Sequence, residues 1–185
     1  MRLTSPLRRF ARDKRGVTAV EFALVAPAVL IVYFAMTQVI LAMAVERRAS
    51  HVASAIADLA AQNATMTASD ITALMSIGPT IMEPFGGEAL KMRLSSMTVD
   101  ADGDVSISWS RGDTITNGVT AASLPADLKV ANSAYIVGEV EYHYPISLAP
   151  GLLKGVFKDN ADGWTFKRHF FYKPRRGSEV TCSGC

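Results

Sequence analysis

Residues 22–45 carry no charged side chain, and this run constrains the chain more than any other feature. It is long enough to cross the hydrocarbon of a bilayer as a helix, which needs about 20 apolar residues. In lipid every backbone group must be satisfied within the segment, so a helix is the conformation to expect. Glu21 stands at the mouth of the run. An ionised carboxylate there is costly unless a cation meets it.

The residues in front of Glu21 suggest where that cation comes from. They read Arg15-Gly16-Val17-Thr18-Ala19-Val20-Glu21-Phe22. A cut between Gly16 and Val17 creates an α-amino group one helical turn from the carboxylate. In a bundle of such helices, the carboxylate of one subunit can meet the amine of its neighbour. Ahead of the cut lie Arg2, Arg8, Arg9, Arg12, Lys14 and Arg15 against the single Asp13. The net charge of +2 therefore hides a basic leader and a slightly acidic remainder. A nucleic-acid role for the leader explains less than orientation does. Cations abutting an apolar helix hold that end in the cytoplasm and put the C-terminal part on the other side. Arg47 and Arg48, beyond the span, weaken this bias without reversing it. Two other readings compete. A secretory signal would use Ala42-Met43-Ala44 as a small-x-small cleavage site, but its apolar core would be too long. An uncleaved single-pass anchor leaves Glu21 as a side chain snorkelling at the interface. Processing after Gly16 accounts for the leader, Gly16, Glu21 and the span together.

This arrangement looks like a type IV prepilin signal. The run Arg15-Gly16-Val17-Thr18-Ala19-Val20-Glu21-Phe22-Ala23-Leu24-Val25-Ala26-Pro27 strongly resembles the TadE-like pseudopilins of the tight-adherence (Tad, or Flp) pilus machinery. The segment Ala57-Asp58-Leu59-Ala60-Ala61-Gln62 and the tail Arg175-Arg176…Cys182-Ser183-Gly184-Cys185 resemble that group more weakly. The major pilins of the system usually carry Tyr after the glutamate, and Phe22 in its place argues for a minor pseudopilin. The resemblance implies cleavage by a prepilin peptidase and a role in priming or assembling the pilus for surface adherence. It implies as partners the major Flp pilin, other TadE- or TadF-like pseudopilins, the inner-membrane platform and the lipid bilayer. The protein would sit in the bacterial inner membrane as a single-pass chain, N-terminus cytoplasmic and C-terminal domain periplasmic.

Beyond the span, Val52, Ala55, Ile56 and Leu59 recur at helical spacing, and no Gly or Pro falls between Ala28 and Gly78. One helix is predicted from about residue 17 to about 62, with Pro27 tolerated inside it and a Val52/Ile56/Leu59 stripe packed on a head domain. Asn63 to Thr67 reads as a break. Ser69 or Asp70 would cap a short helix through Ile71, Leu74 and Met75. Gly78-Pro79 would end or bend it, and Pro84 with Gly86-Gly87 would close the helical region. Leu90, Met92 and Leu94 alternate with Lys91, Arg93 and Ser95. After the turn Asp100-Ala101-Asp102-Gly103, Val105, Ile107 and Trp109 alternate on the way back, giving a hairpin. A third strand sets Ile136, Val140, Tyr142 and Tyr144 against Glu139, Glu141 and His143. Residues 145–160 are a connection with a turn of helix at Leu152-Leu153, and a last strand gathers Trp164, Phe166, Phe170 and Tyr172. The fold class is α+β: a long N-terminal transmembrane helix extending into a pilin-like head with a short helix and an antiparallel sheet of about four strands. The expected divisions are a leader over residues 1–16, a membrane helix over 17–45 and a periplasmic domain over 46–185.

Candidate chemistry in the head is thin. No Gly-rich phosphate loop, Gly-x-Ser-x-Gly or His-Glu-x-x-His is present, so no enzymatic activity and no cofactor are expected. Glu139, Glu141 and His143 could hold a cation, but a solvated strand face explains them more simply. Asp100, Asp102 and Asp104 fit turn chemistry better than a calcium loop. Arg111-Gly112-Asp113 spells an adhesion tripeptide where turn chemistry is the simpler account. Cys182 and Cys185, the only cysteines, could be a redox pair, half a zinc site or a disulfide. They end the chain instead of opening a helix, and no second pair or nearby His completes a zinc site. On the outer side of the membrane a disulfide is expected. A permanently anchored periplasmic binding or adhesion module is the alternative function; there Glu21 is incidental and the leader stays attached.

Overall fold

The helix predicted from the apolar run continues well past it. In the computed structural model, which describes residues 16–145 and 163–185, α1 spans Val17–Ala61 with Pro27 inside. Pro27 cannot donate to the carbonyl of Ala23, yet the helix runs through it. Neither Gly nor Pro ends α1. Asn63 does so, its side-chain amide donating to Leu59 O at 3.0 Å and its backbone N–H to Ala60 O at 3.1 Å. The expected turn of helix at Leu152-Leu153 lies outside the described residues. The described residues divide into two compact units, the first ending at Ile40 and the second beginning at Leu41. Among described residues the first is α1 alone, over residues 17–40, long and apolar enough to cross a membrane.

In the second unit, α1 is followed by β1 (Thr65–Thr67), α2 (Ala68–Met75) and α3 (Ile77–Met82). The cap of α2 is Thr67, two or three residues earlier than the expected Ser69 or Asp70. Thr67 Oγ1 accepts from Asp70 N at 3.2 Å, and Asp70 Oδ2 accepts from Thr67 N at 2.8 Å. This reciprocal capping box satisfies two donors at once, which a lone cap at Ser69 could not do. The helical path breaks at Ser76, two residues before the Gly78-Pro79 expected to end or bend it, and Gly78 and Pro79 lie inside α3.

Four strands then build one antiparallel sheet in the order β3-β2-β4-β5. They are β2 (Leu90–Val99), β3 (Val105–Gly112), β4 (Ser133–Tyr144) and β5 (Trp164–Tyr172). The β2–β3 hairpin closes where predicted. Asp100 Oδ1 accepts from the N–H groups of Asp102 and Asp104 at 2.9 and 2.8 Å, so these aspartates make the turn. The predicted alternation along β3 fails at one place. The register shifts so that Ser96 faces Trp109 while Met97 faces Ile107, leaving Ser108 as a bulge. Trp109 therefore joins the core under α1, and Val105 joins the opposite face.

One face of the sheet packs on α1. Leu90, Met92, Leu94, Ile136, Val140, Tyr142 and Tyr144 share a core with Val45, Ala49, Val52, Ala53, Ile56, Ala57 and Ala60. The expected stripe is rotated: Val52 and Ile56 are buried, but Leu59 is 38% exposed, and alanines take the innermost positions. Gly138 explains why. A Cβ there would stand 2.4 Å from Ala53 O and 2.9 Å from Ala57 Cβ. Helix and strand approach so closely that only small residues fit between them. The other face is covered by the connection between β3 and β4, whose Ile115, Val119 and Leu124 are buried.

Gly138→Val is expected to lower the stability of the full-length protein by about 1–3 kcal/mol, because overpacking forces helix and sheet apart. Urea denaturation in detergent, followed by tyrosine and tryptophan emission, reads the shift. An unchanged midpoint would mean that α1 does not hold the sheet through this contact.

Candidate functional site

Val17 is the first residue of α1, and Gly16 immediately precedes it. Glu21 follows Val17 by four residues, so their side chains share a helix face one turn apart. Both are exposed, and Phe22 next to them is 71% exposed. Glu21 has no hydrogen bond or ion pair with any described residue. Gly16 is equally unengaged: a Cβ added there would meet nothing within 4 Å. Among the described residues nothing requires glycine at 16 or glutamate at 21. Arg8, Arg9, Arg12, Lys14 and Arg15 lie outside the described residues.

The helix beyond this point is apolar on all sides. Leu24 is 73% exposed, and Val29, Val32, Tyr33, Met36 and Ile40 are also exposed. So much uncovered apolar surface is incompatible with water and calls for lipid or other helices. One long apolar N-terminal helix of this kind fits a single-pass membrane anchor.

In the head, the three side chains considered for cation binding are otherwise engaged. Glu139 is 5% exposed, not on a solvated face as expected. Its Oε2 accepts from Arg93 Nη2 at 2.6 Å and Nε at 3.0 Å, and its Oε1 accepts from Val119 N at 2.9 Å. The connection between β3 and β4 folds over this pair and buries it, a contact that strand periodicity could not reveal. Gly118 makes it fit, since a Cβ there would lie 2.2 Å from Arg93 Nη2. Glu141 stands between Lys91 Nζ at 3.3 Å and Lys167 Nζ at 3.2 Å. Burial alone would raise its carboxyl, but Lys167 and Lys91 together hold it below the ordinary range. His143 Nδ1 lies 3.1 Å from Thr165 Oγ1. No group of three metal-ligating side chains occurs among the described residues.

The adhesion-like tripeptide is tied into the fold. Asp113 Oδ2 accepts from Met92 N at 2.9 Å, and Arg111 Nη2 donates to Gly184 O at 2.6 Å. Cys182 and Cys185 lie at disulfide distance, with Cα atoms 5.7 Å apart. Their segment forms β6 (Thr181–Ser183), paired in parallel with β1. Arg175 makes an ion pair with Asp58, and its N–H donates to Ala61 O at 2.8 Å. The tail is thereby fastened to the C-terminal end of α1. Three-residue strands more than a hundred positions apart leave no periodic signal, so this pairing was not legible in the sequence.

Residues 16–58 match the family described as TadE-like protein. The match begins at Gly16, includes Val17, Glu21 and Phe22, and ends in the last turn of α1 before the sheet. It is consistent with a TadE-like protein of the Tad pilus system and suggests a pilus-associated pseudopilin. No curated protein and no solved structure matches the chain.

Two outcomes follow for the head. Arg93→Ala leaves Glu139 buried without its cation and should lower stability by about 3 kcal/mol, measured by urea denaturation. Glu141, held low by its lysines, contributes stability that is complete above the ordinary carboxylate range and lost as pH falls through its depressed value. Lys167→Met should therefore cost stability at pH 7 and much less at pH 3, measured by the same denaturation at both values.

Proposed function

We propose that the chain is a minor pseudopilin, a substrate of a prepilin peptidase and not itself a catalyst, that takes part in priming or assembling a Tad (Flp) pilus. The observation that carries this reading is that no described residue accounts for glycine at 16 or glutamate at 21. Gly16 meets no steric demand, and Glu21 has no described partner. Residues that no described neighbour explains are candidates for recognition from outside the chain. A peptidase reading Gly16 and a neighbouring subunit reading Glu21 fill both roles, and similarity to TadE-like proteins over residues 16–58 favours the same machinery.

The proposed sequence of events is as follows. The basic leader, with Arg8, Arg9, Arg12, Lys14 and Arg15, holds the N-terminus on the cytoplasmic face of the inner membrane. The peptidase hydrolyses the Gly16–Val17 amide, leaving the leader with a carboxylate and the mature chain with an amine. Glu21 of one subunit meets the Val17 amine of the next and sets the helix register, with Phe22 beside it at the contact. The apolar helix then exchanges lipid for helix packing, which its alanines and valines permit by letting backbones come close. The head, in the periplasm with its Cys182–Cys185 bridge, offers its surface to the major Flp pilin, to TadE- or TadF-like pseudopilins and to the inner-membrane platform.

Mass spectrometry of protein from its native membrane should find a mature chain starting at Val17. A start at Met1 would establish instead a permanently anchored periplasmic module, and a start at Val45 a secreted head. Glu21→Ala is expected to leave the denaturation midpoint of the head unchanged and cleavage intact, while co-purification with partner pilins is lost. Normal co-assembly of that variant would remove Glu21 from the mechanism.

A further inference from the structure

The tail that crosses the head is held firmly at one point and lightly beyond it. β6 is the one partner of β1 among the described strands, and each has three residues. A two-stranded piece this short is marginal by itself and depends on what fastens it. At its start the fastening is firm. Val180 is 1% exposed within the core, its carbonyl accepts from Trp109 Nε1 at 2.8 Å, and Thr181 N donates to Ala64 O at 3.1 Å. Past Thr181, Cys182 and Ser183 pair with Met66 and Thr67. Beyond that ladder, what steadies this stretch is the packing of Cys182 on the core, the Cys182–Cys185 bridge, and the hydrogen bond from Arg111 Nη2 to Gly184 O at 2.6 Å.

The bridge and the Arg111 contact are linked. Gly184 has φ 77°, so the chain turns back inside the ring, and this turn carries the carbonyl that Arg111 holds. The two sulfurs stand in unlike surroundings: Cys182 is half-buried, whereas Ser183, Gly184 and Cys185 are exposed. A ring of four residues constrains little of the unfolded chain, so the bridge adds little to the stability of the head as a whole. Its effect is local. Opening it frees the turn at Gly184 and with it the Arg111 contact, leaving the ladder without its outer fastening. That ladder covers the edge of β1, where Met66 is 2% exposed and Thr67 caps α2.

We propose that the Cys182–Cys185 bridge is a thiol–disulfide exchange site, attacked at Cys185 by a dithiol, and that its reduction frees Gly184 from Arg111 and unlatches β6 from β1 while the sheet stays folded. Access selects the sulfur, since Cys185 is the exposed one of the pair. A thiolate of the reductant attacks Cys185 Sγ. The S–S bond breaks, its electron pair passes to Cys182 Sγ, and Cys182 takes up a proton. The reductant's second thiol then attacks its own sulfur in the mixed disulfide and releases Cys185 as a thiol. The head gains two electrons and two protons, and the reductant leaves as a disulfide. Unlatched, the head presents the edge of β1 and Met66, which the bridged head keeps covered.

Full-length protein in detergent tests this with dithiothreitol as the dithiol. Amide hydrogen exchange read by mass spectrometry should quicken about ten-fold or more over Met66, Thr67 and residues 182–185 on reduction, with β2 and β4 unchanged. Arg111→Ala should quicken the same amides with the bridge intact. Unchanged exchange in β1 and β6 after reduction overturns the latch. Loss of protection throughout β2 and β4 overturns it too, because the bridge would then staple the whole head. Unchanged exchange in Arg111→Ala removes Arg111 from the latch. Brief treatment with glutathione, stopped by acid, should place the glutathionyl group on Cys185; finding it on Cys182, or equally on both, overturns the order of attack. Protein whose mass does not rise by two hydrogens under dithiothreitol has no bridge, and exchange and latch both fall.

Discussion

The close contact between α1 and β4 governs the head. At Gly138 the strand has no side chain, and Ala53 and Ala57 present only methyl groups to it. Dispersion falls off steeply with distance, so a contact this close makes each neighbouring apolar pair count for more. It draws Val52 and Ile56 down onto Ile136 and Val140 and fixes which face of α1 is inside. Leu59, the last residue of the expected stripe, is displaced outward.

The opposite face of the sheet uses charge to do what the helix does with alanines. Arg93 on β2 and Glu139 on β4 lie side by side across the sheet, under the connection between β3 and β4. Glu139 holds the backbone of that connection through Val119 N, and Arg93 through Val119 O. The pair is satisfied on both sides, the condition under which a buried ion pair is tolerated. Lys91, Glu141 and Lys167 continue the alternation of sign across β2, β4 and β5 at the rim of the same face. The outer strands end the sheet differently. β3 carries a bulge at Ser108 and β5 carries Lys167 and Arg168, two devices that discourage edge-to-edge pairing with another chain.

Helix α1, the α+β class and the β2–β3 hairpin were legible because each rests on a local pattern. An uncharged run, a period of 3.6 and an Asp-Gly turn are all read within a few residues. What escaped depends on residues distant in sequence. The bulge at Ser108 reverses Trp109 against Val105 and Ile107, and only the partner strand reveals it. The cap moved from Ser69 to Thr67 because Asp70 could reach back to the Thr67 N–H, a reciprocal geometry that neither residue shows alone. Glu139 looked solvated because the covering loop has no periodicity. The tail joins α1 through Arg175 and Asp58, and β1 through β6, with no signal beyond a faint likeness to a family.

The candidate site inverts this relation. Gly16 and Glu21 are among the most legible positions in the sequence, and no described residue makes use of them. Glycine is normally explained by a close approach, as at Gly118 and Gly138, and Gly16 has none. A carboxylate beside an apolar helix is normally explained by a partner, as Arg168 is for Glu46, and no described residue serves Glu21. A costly residue without an internal reason points to an external one. Under the proposed function, hydrolysis after Gly16 would supply a cation near the depth of Glu21 on every subunit. Each chain would then bring one amine and one carboxylate a helical turn apart, so neighbours that pair them would be offset along the helix axis, and an offset repeated in one direction gives a filament instead of a closed dimer.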